Sequence, residues 1–137
     1  MKILLNNILV FLLIFSSCEK KDKKDSLVKL NKHKPELLKR VISSDSYNPK
    51  TVCDCNNDGT KLLNKLLSKR KQYKNIDDLY NDKDAKDFVN MLKENWNTIR
   101  YKCLQTFGTA MITPTDCNNP DNIQAIKDKL FKLDIRT

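Results

Sequence analysis

Apolar residues return at three- and four-residue steps from about Asp84 to Phe107, at Ala85, Phe88, Val89, Leu92, Trp96, Ile99, Cys103, Leu104 and Phe107. That is the period of an α-helix with one buried face. Gly108 stands just past the last periodic residue, where glycine commonly ends a helix. Two further stripes supply partners for this face. Leu62, Leu63, Leu66, Leu67 and Tyr73 share one side of a helix predicted over roughly 60–74, with Lys61, Lys65 and Lys69 opposite. A last helix is predicted to begin at Asn119 as cap, with Pro120 in its first turn and Ile123, Ile126, Leu130 and Leu133 on one face. A short helix is expected over 35–43, PELLKRVIS, from Pro35 at the first position and Leu37, Leu38, Val41 and Ile42 on one side. SSDSYNPK then ends it. The one extended candidate, TAMITPT at 109–115, contains Pro114, which demotes it to a loop or a single edge segment. The fold class is therefore all-α, a small bundle of three to four helices.

The chain opens MKILLNNILVFLLIFSSC, with a cation at Lys2, an uncharged apolar run from Ile8 to Phe15, then Ser16, Ser17 and Cys18. Eight apolar residues fall short of the ~20 helical residues that cross a hydrocarbon layer, so the layout is that of a secretory signal. Small residues before a cysteine, with EKKDKKD directly after it, resemble the lipobox of bacterial lipoproteins processed by signal peptidase II. Phe15 stands where that motif usually has leucine. The resemblance covers residues 1 to about 25 and implies cleavage before Cys18, diacylglycerol on its sulfur and, commonly, a third acyl chain on the new amine. Each buried methylene contributes ~0.8 kcal/mol, so two or three chains hold a protein on a membrane far more firmly than one.

Three segments follow from this reading: a signal peptide over 1–17, the lipidated Cys18 with a charged tether over 18–34, and a helical domain over 35–137. EKKDKKDSLVKLNKHK cannot bury enough apolar surface to offset its ordering entropy, so a flexible N-terminal tether is expected. Its sixteen residues span ~22 Å on a random-coil estimate. Charge directly after the cysteine also resembles retention or surface-export signals of some Gram-negative lipoproteins. The implied location is the cell envelope, lipid-anchored to a bacterial membrane, on the periplasmic or surface side of the outer membrane. About 120 residues remain after cleavage, enough for one domain. With 31% of the chain charged against 39% hydrophobic, its core must be lean.

Residues 53–60, CDCNNDGT, admit several chemistries. Setting Cys18 aside leaves Cys53, Cys55, Cys103 and Cys117, an even number in a chain sent to an oxidising compartment, which is the arithmetic of two disulfides. Cysteines one residue apart seldom pair with each other, so Cys53 and Cys55 should each reach to Cys103 or Cys117. Both connectivities remain open, Cys53 with Cys103 being marginally preferred. A zinc site fits poorly, since ligand pairs usually enclose two to four residues. A calcium loop is a weak alternative: Asp54, Asn56, Asp58 and Gly59 resemble the first half of an EF-hand, but Lys65 falls where the closing carboxylate belongs. The simpler expectation has Asp58 or Thr60 capping the next helix, with Gly59 supplying a turn.

The net charge of +9 does not point to nucleic acid. Residues 19–50 carry ten basic groups against five acids, and 51–137 only fifteen against twelve. Lysine outnumbers arginine 22 to 4, so the bidentate geometry of base readout is scarce. His33, the only histidine, lies in the tether without partners for nucleophilic catalysis. Asp77, Asp78, Asp82, Asp84 and Asp87 cluster near the start of the long helix, where its dipole favours anions, and the cationic face of 61–74 is expected against them. The resulting expectation is a non-enzymatic protein-interaction module needing no cofactor, a subunit, inhibitor or immunity-type partner. The alternatives are a thiol-disulfide oxidoreductase using the C-x-C pair and a passive structural surface protein. Oligomeric state is open.

Overall fold

The computed structural model describes residues 37–137, which contain four α-helices and no strand. The expectations for the signal peptide, for Cys18 and for the tether lie outside the described residues. The helices are α1 (Val52–Arg70), α2 (Ile76–Asn81), α3 (Lys83–Phe107) and α4 (Pro120–Phe131), with a 3₁₀ turn at Gly108–Ile112.

The α1 helix starts eight residues before the expected position. Thr51 and Asp54 form a reciprocal capping box: Thr51 Oγ1 accepts from the Asp54 N–H at 3.1 Å, and Asp54 Oδ2 accepts from the Thr51 N–H at 3.0 Å. CDCNNDGT is therefore helix, not loop. Neither Asp58 nor Thr60 caps it, and Gly59 makes no turn. Gly59 instead marks the closest approach of α1 to α3: a Cβ built there would lie 2.8 Å from Trp96 Cζ3. Only a residue without a side chain lets the indole lie against the backbone of α1.

The α2 helix was not anticipated. Its six residues are too few for a periodic signal, but Asn75 caps it by accepting from the Asp78 N–H at 2.8 Å, and its Leu79 is fully buried. Asp82 then caps α3 through Oδ1, accepting from the Ala85 N–H at 3.0 Å, while Oδ2 accepts from the Tyr73 hydroxyl at 2.6 Å. The acidic cluster thus divides between two helix starts, Asp77 and Asp78 at α2 and Asp84 at α3, where the dipoles favour it. Gly108 ends α3 as expected, at φ 53°. Asn119 caps α4 as expected, accepting from the Asn122 N–H at 2.9 Å.

The core is built on Leu62, Leu63, Leu66 and Leu67 of α1 against Val89, Leu92, Trp96 and Ile99 of α3, with Ile126 and Leu130 of α4 and Ile135 beyond it. Each such buried side chain stabilises by ~1.5–3 kcal/mol relative to exposure. The α1 helix packs on both α3 and α4. After α4 the chain makes a Schellman turn: Ile135 N–H donates to Leu130 O at 2.9 Å and Asp134 N–H to Phe131 O at 3.0 Å. Asp134 occupies the left-handed position at φ 62°, and buried Ile135 closes over Leu130. Arg70, itself buried, ties this turn to α1 by donating Nε–H to Leu133 O at 2.8 Å.

The helix expected over 35–43 does not form in its described part. Residues 37–46 run through turns, with Leu37 and Ile42 buried and Val41 exposed. Apart from a turn in which the Ser46 N–H donates to Ser43 O at 3.1 Å, the backbone groups at Leu37, Arg40 and Ile42 bond to α3. Fully buried Asn95 accepts from the Ile42 N–H and donates Nδ2–H to the carbonyls of Leu37 and Arg40, all at 2.8 Å.

Candidate functional site

Starting α1 at Val52 fixes how the C-x-C pair is bonded. Two residues along a helix is a rotation of about 200°, so Cys53 and Cys55 leave the first turn on opposite sides. Cys55 faces α3 and bonds to Cys103; Cys53 bonds to Cys117 in the loop before α4. The Cα separations are 6.0 Å and 5.2 Å, within the usual disulfide range. The marginally preferred Cys53–Cys103 pairing is corrected on this point. Cys103 sits on the buried stripe of α3, which only Cys55 reaches.

The same helix disperses the oxygens of the weak calcium alternative. Asp54 is engaged in the capping box, where Oδ2 also accepts from the Lys50 N–H at 3.1 Å. Asn56 Oδ1 accepts from the Asn119 N–H at 3.2 Å. Asp58 is buried and accepts from the Tyr47 hydroxyl at 3.2 Å. Burial pushes the Tyr47 phenol far above its ordinary value, and the Asp58 carboxylate beside it, the hydrogen bond to it, and Asp54 act in the same direction. Cys103 Sγ lies 3.9 Å from the same hydroxyl. Tyr47, Asp58 and the Cys55–Cys103 bridge form one buried cluster joining the segment before α1 to α1 and α3. Among the described residues no group of His, Cys, Asp or Glu is arranged to hold a metal ion.

Beside the Cys55–Cys103 bridge the surface opens into a groove of about 230 Å³. It exists because α4 packs on α1, leaving the outer flank of α3 uncovered next to the 3₁₀ turn. Trp96, Ile99 and Ile123 line it deep down, with Leu104, Met111 and Ile112 along its walls. Leu104 is 47% exposed and Ile112 69%, although Leu104 belongs to the apolar stripe of α3. Among the described residues, Arg100 and Lys127 are the only charged ones lining it. Its wall opposite α4 is held in shape by Asn118, which is buried and whose Nδ2–H group donates to the carbonyls of Ala110, Met111 and Thr113 at 3.0, 3.2 and 2.8 Å.

A second, more polar depression of about 380 Å³ lies between α1 and the start of α3, where Lys65, Lys69 and Asp84 meet. Of the cationic face and the acidic cluster expected against it, this brings Lys65 and Lys69 near Asp84, whereas Asp77 and Asp78 stand at the start of α2. Tyr73, 5.2 Å under Lys69 Nζ, holds Asp82 below the ordinary carboxylate range chiefly through its hydroxyl hydrogen bond, with the Ala85 N–H adding to it.

The groove, Asn95 and Asn118 were not anticipated from the sequence. Asn95 left a signal there: it interrupts the apolar stripe between Leu92 and Trp96, where a polar side chain must find buried partners. The arrangement defines a disulfide-stapled helical domain with an uncovered apolar flank. Comparison with protein-family models, with curated proteins and with solved structures finds no match to this chain.

Proposed function

We propose that this chain is a bacterial envelope lipoprotein, held to a membrane through lipid on Cys18, whose helical domain docks a partner protein in the groove beside the Cys55–Cys103 bridge. The observation that carries the docking reading is the exposure of Leu104 and Ile112 beside Trp96 and Ile99, an apolar surface that the bundle leaves uncovered. Patches of this kind with a polar rim mark interaction sites. At about 230 Å³ the groove falls below the ~300–1,000 Å³ of pockets that enclose a small molecule, and suits one or two anchoring side chains of a protein. Arg100 and Lys127, with no acid among the described lining residues, favour an anchor flanked by carboxylates. The anchor reading rests on Ser16-Ser17-Cys18 following an apolar run and preceding dense charge, and on an even set of four other cysteines bonded in two pairs.

Two measurements test the two halves separately. Labelled fatty acid should enter the wild-type protein and not Cys18→Ala, and only the wild type should partition into detergent; no label on either ends the anchor reading. Pull-downs from membranes should recover a partner with wild type and lose it with Ile112→Glu, at unchanged melting temperature. Equal recovery with Ile112→Glu ends the docking reading.

A further inference from the structure

The two disulfides occupy opposite environments. Cys55 and Cys103 are 2% and 0% exposed, sealed between α1 and α3 beneath Tyr47. Cys117 is exposed, in a loop without regular structure, and its partner Cys53 is half-buried at the second residue of α1. Thiol-disulfide exchange needs a thiolate to approach one sulfur along the bond and needs the other sulfur to leave as a thiolate. Cys117 offers the approach. Cys53 offers the departure, because its sulfur leaves at the positive end of α1, where the Val52 and Cys53 N–H groups stand outside the Thr51–Asp54 capping box. The buried bridge offers neither.

From this asymmetry we propose that Cys53–Cys117 is a thiol-disulfide exchange site, a clasp opened by a dithiol reductant while Cys55–Cys103 stays closed. One thiolate of the dithiol attacks Cys117 Sγ, the Cys53–Cys117 bond breaks, and its electron pair leaves on Cys53 Sγ. The resulting mixed disulfide on Cys117 is resolved by the second thiol of the reductant, which becomes a disulfide as Cys117 departs as thiolate. Both released thiolates take protons from water. Two electrons pass from the dithiol to the clasp.

The clasp controls the loop that walls the groove. Asn118, next to Cys117, gathers the carbonyls of Ala110, Met111 and Thr113, so the bridge that fixes Cys117 to α1 also steadies the internal bonds of this loop. To α1 it is joined, among the described residues, by the bridge and by the Asn119 N–H donated to Asn56 Oδ1 at 3.2 Å. Reduction leaves that hydrogen bond and the packing of Met111 on the core, and Met111 and Ile112 are then freer to move away from Ile123 while the core beneath is still stapled by Cys55–Cys103.

The test uses the full-length protein under native conditions with dithiothreitol as the dithiol. Samples are quenched with N-ethylmaleimide at intervals, and each cysteine is mapped by peptide mass spectrometry while helix content is followed at 222 nm. Cys53 and Cys117 should label together, at least about tenfold faster than Cys55 and Cys103, with helix content retained. Hydrogen exchange of the reduced form should rise over 108–117 and stay slow in α1 and α3. Simultaneous labelling of all four cysteines, labelling only as helix is lost, or earlier labelling of Cys55 and Cys103 overturns the proposal. So does unchanged exchange over 108–117 after the clasp has opened. The measurement is made on the wild type, so it does not depend on a cysteine variant folding.

Discussion

Replacing Gly59 by alanine sets two effects against each other inside one helix. In the interior of α1 alanine is favoured over glycine by ~0.8–1 kcal/mol of helix propensity. The new Cβ would lie 2.8 Å from Trp96 Cζ3, 3.7 Å from Trp96 Cε3 and 3.5 Å from Ile123 Cδ1. Carbon atoms rest at ~3.5–4.0 Å, so the indole must retreat by most of an ångström. It has little room, since Trp96 is 6% exposed and packed in the core. Overpacking of this kind costs ~1–3 kcal/mol, and with little room for the ring the upper part of that range applies, which outweighs the propensity gain and leaves Gly59→Ala less stable by ~1–2 kcal/mol. For a domain of this size the melting temperature should fall by several degrees, at ~4–8 °C per kcal/mol. The assay is thermal unfolding at 222 nm, with emission from Trp96, the only tryptophan, reporting the displaced ring. In a Trp96→Phe background, whose smaller ring clears the site, the same alanine should be neutral or stabilising. A higher melting temperature for Gly59→Ala, or a coupling below ~0.5 kcal/mol in the double-mutant cycle, would refute the close-approach argument.

Asp134→Gly should stabilise the domain by ~1 kcal/mol, because a left-handed residue with a Cβ is strained where the Schellman turn favours glycine; urea denaturation reads the gain. Asn95→Leu strips the Ile42 N–H and the Leu37 and Arg40 carbonyls of the Asn95 amide, at ~1–3 kcal/mol for each group kept buried. The segment should therefore detach, and trypsin should cut at Lys39 or Arg40 faster than in wild type while α1 and α3 stay protected. Cys53→Ser with Cys117→Ser should lower stability by ~3 kcal/mol and not the ~4 kcal/mol that a 64-residue loop implies, because the 48-residue loop closed by Cys55–Cys103 leaves a ring of about 16. Tyr47 has its pKa raised on folding, so its contribution is fully present below the ordinary 10.0 and is lost as pH rises above it. Alkaline titration followed at 295 nm should show one tyrosine ionising only as the 222 nm signal collapses.

The legible part of the fold is the part carried by period. The α3 stripe, the Gly108 stop, the Asn119-Pro120 start and the leucines of α1 each carry their signal within a few residues. The first two turns of α1 hid because Asn56, Asn57, Asp58 and Gly59 disfavour helix individually, and what holds them helical is a cap at Thr51 and an indole thirty-seven positions away. Leu37 and Ile42 looked like one face of a helix because they are buried, but their backbone partners are on Asn95, a relation no local pattern encodes. Cysteine arithmetic gave two bridges and could not give their pairing until the helix register of Cys53 and Cys55 was known. The groove depends on α4 choosing α1 over α3, which is a matter of tertiary packing alone.

Asn95 also sets how the domain would carry a mechanical load. If the chain is anchored at its N terminus as proposed, a pull between membrane and partner is carried along the chain into residues 37–42, where, among the described residues, the resistance it meets first is a single amide with three hydrogen bonds in the middle of α3. Should that grip yield, Tyr47 and then the Thr51 cap are next in line, and roughly fifteen residues would pay out about 50 Å of chain. There the extension stops, because Cys53 and Cys55 pass the force into covalent bonds to Cys117 and Cys103. The segment before α1 is thus a length of slack with a firm stop, and the stop remains on Cys55 when the outer clasp is open.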